Sequence, residues 1–135
     1  MARALRRADE DIMTLQDHDD LFGLPPDYRR DRLTVAFITS LVGLASDVPA
    51  REIIARARRS SQTATRARQM CIYLAHVTLS WPLARVAQAF GRDRTTASLA
   101  VRAVEDLRDD PLVDAHLADL EACIRQAPEP LARPS

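Results

Sequence analysis

Apolar residues recur along this chain at the three- and four-residue spacing of amphipathic helices. Between residues 33 and 45, the apolar positions that fall on one helical face are Leu33, Ala36, Phe37, Leu41 and Leu44. This spacing predicts a helix, which Ser46-Asp47-Val48-Pro49 ends before a short second helix over residues 50 to 57. A third, almost wholly apolar helix from about Thr65 to Leu79 is expected to form the buried centre.

The segment after Ser80 has the spacing of a helix-turn-helix. Pro82 opens a short helix, Gly91 stops it, and a short turn leads to a second helix that begins at Arg94. In such a motif a small residue, here Ala87, lets the two helices cross closely, and a glycine takes a backbone conformation that other residues resist. The spacing alone is only moderately specific, because pairs of adjacent helices are common in helical proteins.

Acidic segments flank this central region. Residues 3 to 16 have helical apolar spacing and belong to an acidic arm, residues 1 to 29, which a proline-rich break separates from the body. The body is expected over residues 30 to 126, with an acidic last helix from about 111 to 126, and residues 127 to 135 are expected to be a flexible tail. The predicted fold class is all-α, a helical bundle containing a helix-turn-helix, with an N-terminal helical or flexible arm.

Composition agrees with one small helical domain. The chain has 135 residues, of which 47% are hydrophobic and 28% charged, so it can bury a core but has no room for a second catalytic domain. Three glycines and 4% aromatic residues disfavour a β-sandwich or barrel. There is no apolar run near the roughly 18 residues of a membrane span and no CxxC pattern. We therefore expect a soluble cytoplasmic protein without membrane contact or a metal site.

Charge is distributed unevenly, although the net charge is zero. All 19 basic residues are Arg, and residues 51 to 104 hold ten of them against two acids. A basic middle between acidic ends is the electrostatic footprint of a polyanion site, because clustered Arg raises the local concentration of phosphate groups. Solvated helix faces are the alternative interpretation, and charge alone would favour it.

Five polar residues stand at the start of the second helix of the helix-turn-helix, and they are Arg92, Asp93, Arg94, Thr95 and Thr96. Side chains of these types read base edges or phosphates in the major groove. Asp93 is also a good N-cap, and capping and base contact can hold together. Arg94 beside the positive end of a helix dipole is unfavourable without an anionic partner, which a phosphate or guanine would supply. Arg102 is expected to pair with Asp106 rather than to lie along the DNA backbone.

An enzyme is the weaker interpretation. The histidines His18, His76 and His116 lie on three different segments without an acid at triad spacing, and Cys71 is expected to be a core residue. His76 is expected to be exposed, and Trp81 to pack the adjacent turn. Without any Lys the chain cannot carry a Gly-Lys-Ser/Thr phosphate loop, so no nucleotide or other cofactor is implied.

The chain contains two motifs, Ala-Arg-Gln-Met-Cys-Ile-Tyr-Leu-Ala at residues 67 to 75 and Val-Ala-Gln-Ala-Phe-Gly-Arg-Asp-Arg-Thr-Thr at residues 86 to 96. Together they resemble the C-terminal DNA-binding domain of the bacterial chromosomal replication initiator DnaA. The hallmark of that domain is a phenylalanine and glycine followed by Arg-Asp-His-Thr-Thr. The resemblance covers about residues 32 to 126, and the full motif is far more specific than a bare helix-turn-helix.

The resemblance implies roles by position. Residues 93 to 96 match recognition-helix residues that touch bases and phosphates, and Arg68 and Gln69 match a helix start at the DNA backbone. The polar and basic residues 58 to 63 are expected to form a loop, here called the basic loop, and one Arg of this loop matches a minor-groove reader. Arg58 and Arg59 are its candidates and Arg56 is a less favoured one, because the chain has about two extra residues between Ile54 and Arg68.

Three departures from the family pattern affect the expected specificity. Arg94 stands where the family has His, one of the usual two glycines after Phe90 is missing, and Leu99 falls where the initiator carries a second His. Exchange of a neutral ring for a guanidinium favours guanine, so we expect a base preference different from that for the standard initiator box.

The expected function is sequence-specific binding of double-stranded DNA at the bacterial nucleoid, with regulation of transcription or replication initiation. The alternative is an adaptor that modulates the replication initiator or its regulators through protein contacts, since both acidic flanks carry apolar positions at helical spacing. A third hypothesis is a homodimer formed through residues 3 to 16, which would pair two DNA half-sites.

Overall fold

The computed structural model describes residues 26–56 and 61–127, and every regular element within these ranges is a helix. The helices are α1 (Pro26–Ser46), α2 (Ala50–Ile54), α3 (Gln62–Thr78), α4 (Leu83–Phe90), α5 (Arg94–Leu107) and α6 (Pro111–Gln126). They pack as a bundle, which confirms the predicted all-α class. The predicted arm helix over residues 3 to 16 lies outside the described residues, and so does the predicted tail except Ala127.

Helix boundaries differ from the hydrophobic pattern at three places. α1 begins seven residues before Leu33, because its first two turns are polar and are held by tertiary contacts that apolar spacing does not reveal. α2 ends at Ile54 instead of residue 57. α3 begins at Gln62 rather than Thr65, because the Ser61 hydroxyl accepts a hydrogen bond from the Ala64 N–H at 3.0 Å and caps the helix.

The apolar helix α3 forms the centre of the bundle, as predicted. It packs against all five other helices, and its Cys71 and Leu74 side chains are fully buried, as are Ile38 on α1 and Val104 on α5. Burial raises the pKa of the Cys71 thiol, although the nearby Arg68 guanidinium acts in the opposite direction. The thiol therefore stays protonated at neutral pH and packs as a small core side chain.

The turn between α1 and α2 requires a glycine. The Val48 N–H donates to the Gly43 carbonyl oxygen at 3.0 Å, and a Cβ atom at Gly43 would lie only 2.6 Å from the Val48 carbonyl oxygen. Any larger residue would push the two backbones apart. Gly43 therefore allows α2 to fold back against the end of α1.

An ion pair joins the first turns of α1 to the helix-turn-helix. Arg85 on α4 donates from Nε to one Asp31 carboxylate oxygen at 3.0 Å and from Nη2 to the other at 2.8 Å. The same guanidinium lies 4.1 Å from the centre of the Trp81 ring, and Trp81 is 6% exposed. This confirms that Trp81 packs the turn before α4, and it explains why the polar start of α1 is ordered.

A second cluster centred on Arg108 attaches the last helix. Arg108 follows α5 and donates to Asp114 at 2.6 Å and to Glu121 at 2.7 Å, both on α6. Its Nη1 also donates to the Tyr73 hydroxyl of α3 at 3.0 Å. One guanidinium therefore fixes α6 against α3 and α5 through charge-assisted hydrogen bonds.

Candidate nucleic-acid interface

α4, α5 and the turn between them form the predicted helix-turn-helix. Gly91 has φ 68° and ψ 35°, the left-handed conformation in which many helices end, and its N–H donates to the Gln88 carbonyl oxygen at 3.2 Å. The Arg92 N–H donates to the Ala87 carbonyl oxygen at 2.9 Å and closes the turn. The prediction that Gly91 stops the first helix is confirmed.

Asp93 caps the recognition helix α5. Its Oδ1 accepts a hydrogen bond from the Thr96 backbone N–H at 2.7 Å, so the expected capping role is confirmed, while base contact by Asp93 stays a prediction. The backbone N–H of Thr96, its side chain and the backbone N–H of Thr95 all lower the pKa of this exposed carboxyl below its ordinary value of 3.8.

This cap leads to a prediction about pH. Because the Asp93 pKa is lower in the folded than in the unfolded chain, its contribution to stability is present above the unfolded value of 3.8 and is lost as the pH falls through the folded pKa. Asp93→Asn keeps a capping oxygen that does not titrate. As the pH falls from about 5 to about 2.5, we expect the unfolding free energy of the wild type to fall by more than that of Asp93→Asn.

The measurement is chemical denaturation of both proteins across this pH range, with an NMR titration of the Asp93 carboxyl carbon. The other acidic groups are common to both proteins, so their titration cancels in the difference. A pH-independent difference, or an Asp93 pKa at or above 3.8, would contradict the capping assignment.

The first turn of α5 presents its polar side chains to solvent. Arg94, Thr95 and Thr96 are all exposed. The buried residues of α5 are Ala97, Ala100, Val101 and Val104. At 3.6 residues per turn, Thr95 lies opposite the middle of this buried stripe. α5 can therefore enter a DNA groove with Thr95 foremost while its other side remains packed on the core.

Arg94 has no anionic partner within residues 26–56 and 61–127. It forms no ion pair or side-chain hydrogen bond there, and it stands at the helix terminus where the macrodipole is positive. A cation in this position is destabilising for the isolated helix. The site is therefore poised to accept an anion or an electronegative base edge.

The guanidinium groups of Arg68 and Arg92 converge on the end of α2. Arg68 donates from Nε to the Ile53 carbonyl oxygen at 2.6 Å, and Arg92 donates from Nη2 to the Ala55 carbonyl oxygen at 2.8 Å. The last carbonyls of a helix lack intrahelical partners and carry partial negative charge, which favours cations there. Burial, Arg68 and the nearby Arg56 lower the pKa of Arg92. These bonds join the α4–α5 turn, the second turn of α3 and the chain at residues 53 to 55.

The remaining predicted contact residues are placed differently. Gln69 is half-buried next to Arg68 in the second turn of α3, so these two residues do not stand at the helix start that the resemblance implies. Arg58 and Arg59, the candidates for the minor groove, lie outside the described residues. Arg56, which the sequence favours less for that role, precedes the basic loop and is exposed.

The expected pairing of Arg102 is wrong. It is exposed on α5, and the expected ion pair with Asp106 is absent, since the ion pairs among the described residues involve Arg85 and Arg108. Arg102 follows Thr95 by seven residues and so lies two turns along the same helix face. This seven-residue spacing in the sequence indicates that Arg102 shares the exposed face of the recognition helix with Thr95.

The titratable side chains of the described ranges are not gathered into a metal site, because no group of three His, Cys, Asp or Glu residues there has suitable geometry. His76 is half-buried rather than exposed as expected, since its Nδ1 lies 2.8 Å from the Trp81 carbonyl oxygen. Among the same residues, no helix has the length and apolar character needed to cross a membrane.

Comparison with solved structures identifies similar folds. The structure of the replication initiator DnaA bound to AMPPCP and single-stranded DNA matches with a TM-score of 0.65 and 24% identity, over 95% of this chain and 38% of that one. The crystal structure of a DNA replication initiation factor matches with a TM-score of 0.62 and 25% identity, over 87% of this chain and 36% of that one. The chain thus spans little more than a third of the length of either protein.

Two sequence comparisons complement the match to solved structures. A search of curated proteins finds no match. The family model described as the bacterial DnaA protein helix-turn-helix matches residues 35–104, which is just over half of the chain and includes α3, α4 and most of α5. With the helix-turn-helix and its exposed recognition helix in place, this match shows that the chain belongs to the family of the bacterial DnaA helix-turn-helix, a DNA-binding domain of the replication-initiator type.

Proposed function

We propose that this protein binds double-stranded DNA sequence-specifically, with the first turn of α5 in the major groove, and regulates transcription or replication initiation. The observation that carries the proposal is the exposed guanidinium of Arg94 at the positive end of α5, which has no anionic partner within residues 26–56 and 61–127. DNA supplies the missing partner, because a guanine edge and a phosphate both accept hydrogen bonds from Arg. The bound state thereby removes a repulsion that the free helix carries.

The side chains around Arg94 supply a reading surface of mixed chemistry. The Arg fork matches guanine O6 and N7, the Thr95 methyl group matches a thymine methyl, and the Asp93 carboxylate can accept from the cytosine amino group. Arg94 stands where the related domain has His, so we propose a base preference shifted toward guanine relative to the initiator box. We assign the exposed Thr96, whose backbone N–H bonds to Asp93, a contact with a phosphate.

Arg92 supports DNA binding indirectly in this proposal. Its Nη2 bonds to the Ala55 carbonyl oxygen, shortly before the basic loop begins. We therefore assign Arg92 the role of holding the chain at Ala55 beside the α4–α5 turn rather than that of reading a base. Arg68 shares this positioning role through its bonds to the Ile53 and Ala55 carbonyl oxygens. We assign Gln69, beside it in the second turn of α3, a contact with the DNA backbone.

The direct test is an in vitro selection from random duplex DNA with the full-length protein at near-physiological salt. An enriched site supports sequence-specific binding, and its likeness to the initiator box measures how far Arg94 has changed the base preference. Recovery of nothing above background contradicts the proposal. A parallel selection with Arg94→Ala controls for sites enriched by charge alone.

The basic loop leads to a second prediction. Replacement of both Arg58 and Arg59 with Ala is expected to weaken binding and to flatten its dependence on salt, because each neutralised phosphate adds roughly 0.9 to the slope of log affinity against log salt. We expect the slope to fall by about one to two units. Fluorescence anisotropy titrations between about 50 and 200 mM salt measure it.

Arg125→Ala is the matched control for these titrations, since Arg125 is an exposed Arg on α6 outside the proposed DNA surface. Its slope should equal that of the wild type. An unchanged slope in the Arg58 and Arg59 double variant would remove the loop from the interface.

An adaptor function is the second candidate, and one observation favours it. Leu112 on the acidic helix α6 is 80% exposed, which leaves an apolar side chain available for a protein partner. Loss of Arg58, Arg59 and Arg94 without loss of the effect on replication would support the adaptor. Sedimentation of the full chain at micromolar concentration tests the homodimer. Under each of these three hypotheses, we assign the body, residues 30 to 126, a binding role at the nucleoid and no catalytic role.

A further inference from the structure

One large apolar side chain projects from the exposed face of the recognition helix. Leu99 on α5 is 57% exposed, whereas the apolar residues on the opposite side of the helix are almost completely buried. At 3.6 residues per turn, Leu99 lies one turn beyond Thr95 and one turn before Arg102, in line with both. The core of the bundle therefore does not require a leucine at this position.

The surroundings of Leu99 match DNA better than a protein partner. Arg102 lies about one turn beyond Leu99 on the same face, and Arg94 lies at the N-terminus of the helix. Neither forms an ion pair within the described parts of the chain. An apolar side chain on a helix that also exposes these two cations fits a surface that is anionic at its borders and apolar at its centre. The major groove at a thymine has this character, with phosphates on both sides and a methyl group in the floor.

We propose that Leu99 is a specificity-determining residue that contacts the C5-methyl group of a thymine in the major groove. Leucine has no hydrogen-bonding group, so among the base edges it discriminates only through this methyl. Its Cα lies about 6 Å along the helix from that of Thr95, so the thymine is one or two base pairs from the base that Thr95 contacts. This inference rests on the proposed function, because it requires α5 to enter the major groove.

The test removes one methyl group from the DNA at a time. After selection of a site, each thymine in it is replaced by uracil, which differs only in lacking the C5-methyl group. The affinity of each duplex is measured for wild type and for Leu99→Ala. We expect one uracil position to weaken the wild type by about fourfold, the equivalent of one buried methyl group, and to leave Leu99→Ala unaffected.

Two controls make the result specific to Leu99. Leu112→Ala removes an equally large and still more exposed leucine from α6, and it should keep the full sensitivity to uracil. Any thymine contacted by Thr95 should remain sensitive to uracil in Leu99→Ala. Thermal unfolding is expected to be nearly the same in all three proteins, since both leucines are exposed.

The outcomes separate this inference from the proposed function. If the wild type selects a site but no uracil position loses its effect in Leu99→Ala, the role of Leu99 is overturned and DNA binding stands. If the wild type selects no duplex at all, the proposed function fails and the inference fails with it.

Discussion

Replacement of Arg94 with Ala is expected to weaken binding to the selected duplex by about tenfold to a hundredfold, the range of one bidentate Arg–guanine contact. The unfolding free energy should not fall, because Arg94 is exposed and has no partner within residues 26–56 and 61–127. Removal of a cation from the helix N-terminus should even stabilise α5 slightly. Anisotropy titrations and thermal denaturation of the same preparations measure both effects.

Arg92→Ala is the matched control, since it removes another Arg only two residues away. Arg92 is half-buried and bonds to the Ala55 carbonyl oxygen, so this variant should lose stability as well as affinity. Equal losses of stability in the two variants would contradict the separation between a reading and a positioning arginine. Arg94→His adds a test of specificity, because it should shift the base preference away from guanine.

Replacement of Arg108 with Ala is expected to lower the unfolding free energy by about 2 to 4 kcal/mol, somewhat below the usual cost of breaking a fully buried ion pair because one partner is exposed. The carboxylate of Glu121 is only 12% exposed and would lose its cation, while Asp114 is 52% exposed and can be solvated. The Tyr73 hydroxyl would also lose its donor. Urea denaturation followed by circular dichroism measures the change.

Arg102→Ala provides the comparison for stability, because Arg102 lies on the same helix and is exposed without an ion pair among the described residues. Its unfolding midpoint should remain close to that of the wild type. If Arg108→Ala unfolds at the same urea concentration as Arg102→Ala, the cluster does not hold α6 in place.

Local chemistry explains which parts of the fold the sequence predicted. A hydrophobic period of 3.6 residues marks a helix, a glycine ends α4, and an aspartate three residues before a free N–H caps α5. Each of these signals involves residues within about one turn of one another. The sequence therefore predicts the central position of α3, the end of α4 at Gly91 and the start of α5 at Arg94.

Local sequence patterns do not predict the hydrogen-bond partners of the arginines. Arg85 bonds to Asp31, 54 residues earlier, and Arg92 bonds to Ala55, 37 residues earlier. No periodicity links positions so far apart, because the packing of the helices alone brings them together. Local spacing was also misleading for Arg102, whose i+4 neighbour Asp106 does not pair with it.

The sequence by itself determined the approximate positions of the helices, the helix-turn-helix and the polar start of its recognition helix, since these depend on contacts between near neighbours in the chain. Only the tertiary structure decided which arginines are free to meet DNA and which are engaged within the protein. Arg92 and Arg94 are nearly adjacent in sequence, yet one is directed to the carbonyl end of α2 and the other to solvent. That difference arises because α2 and the α4–α5 turn become neighbours only when the bundle has packed.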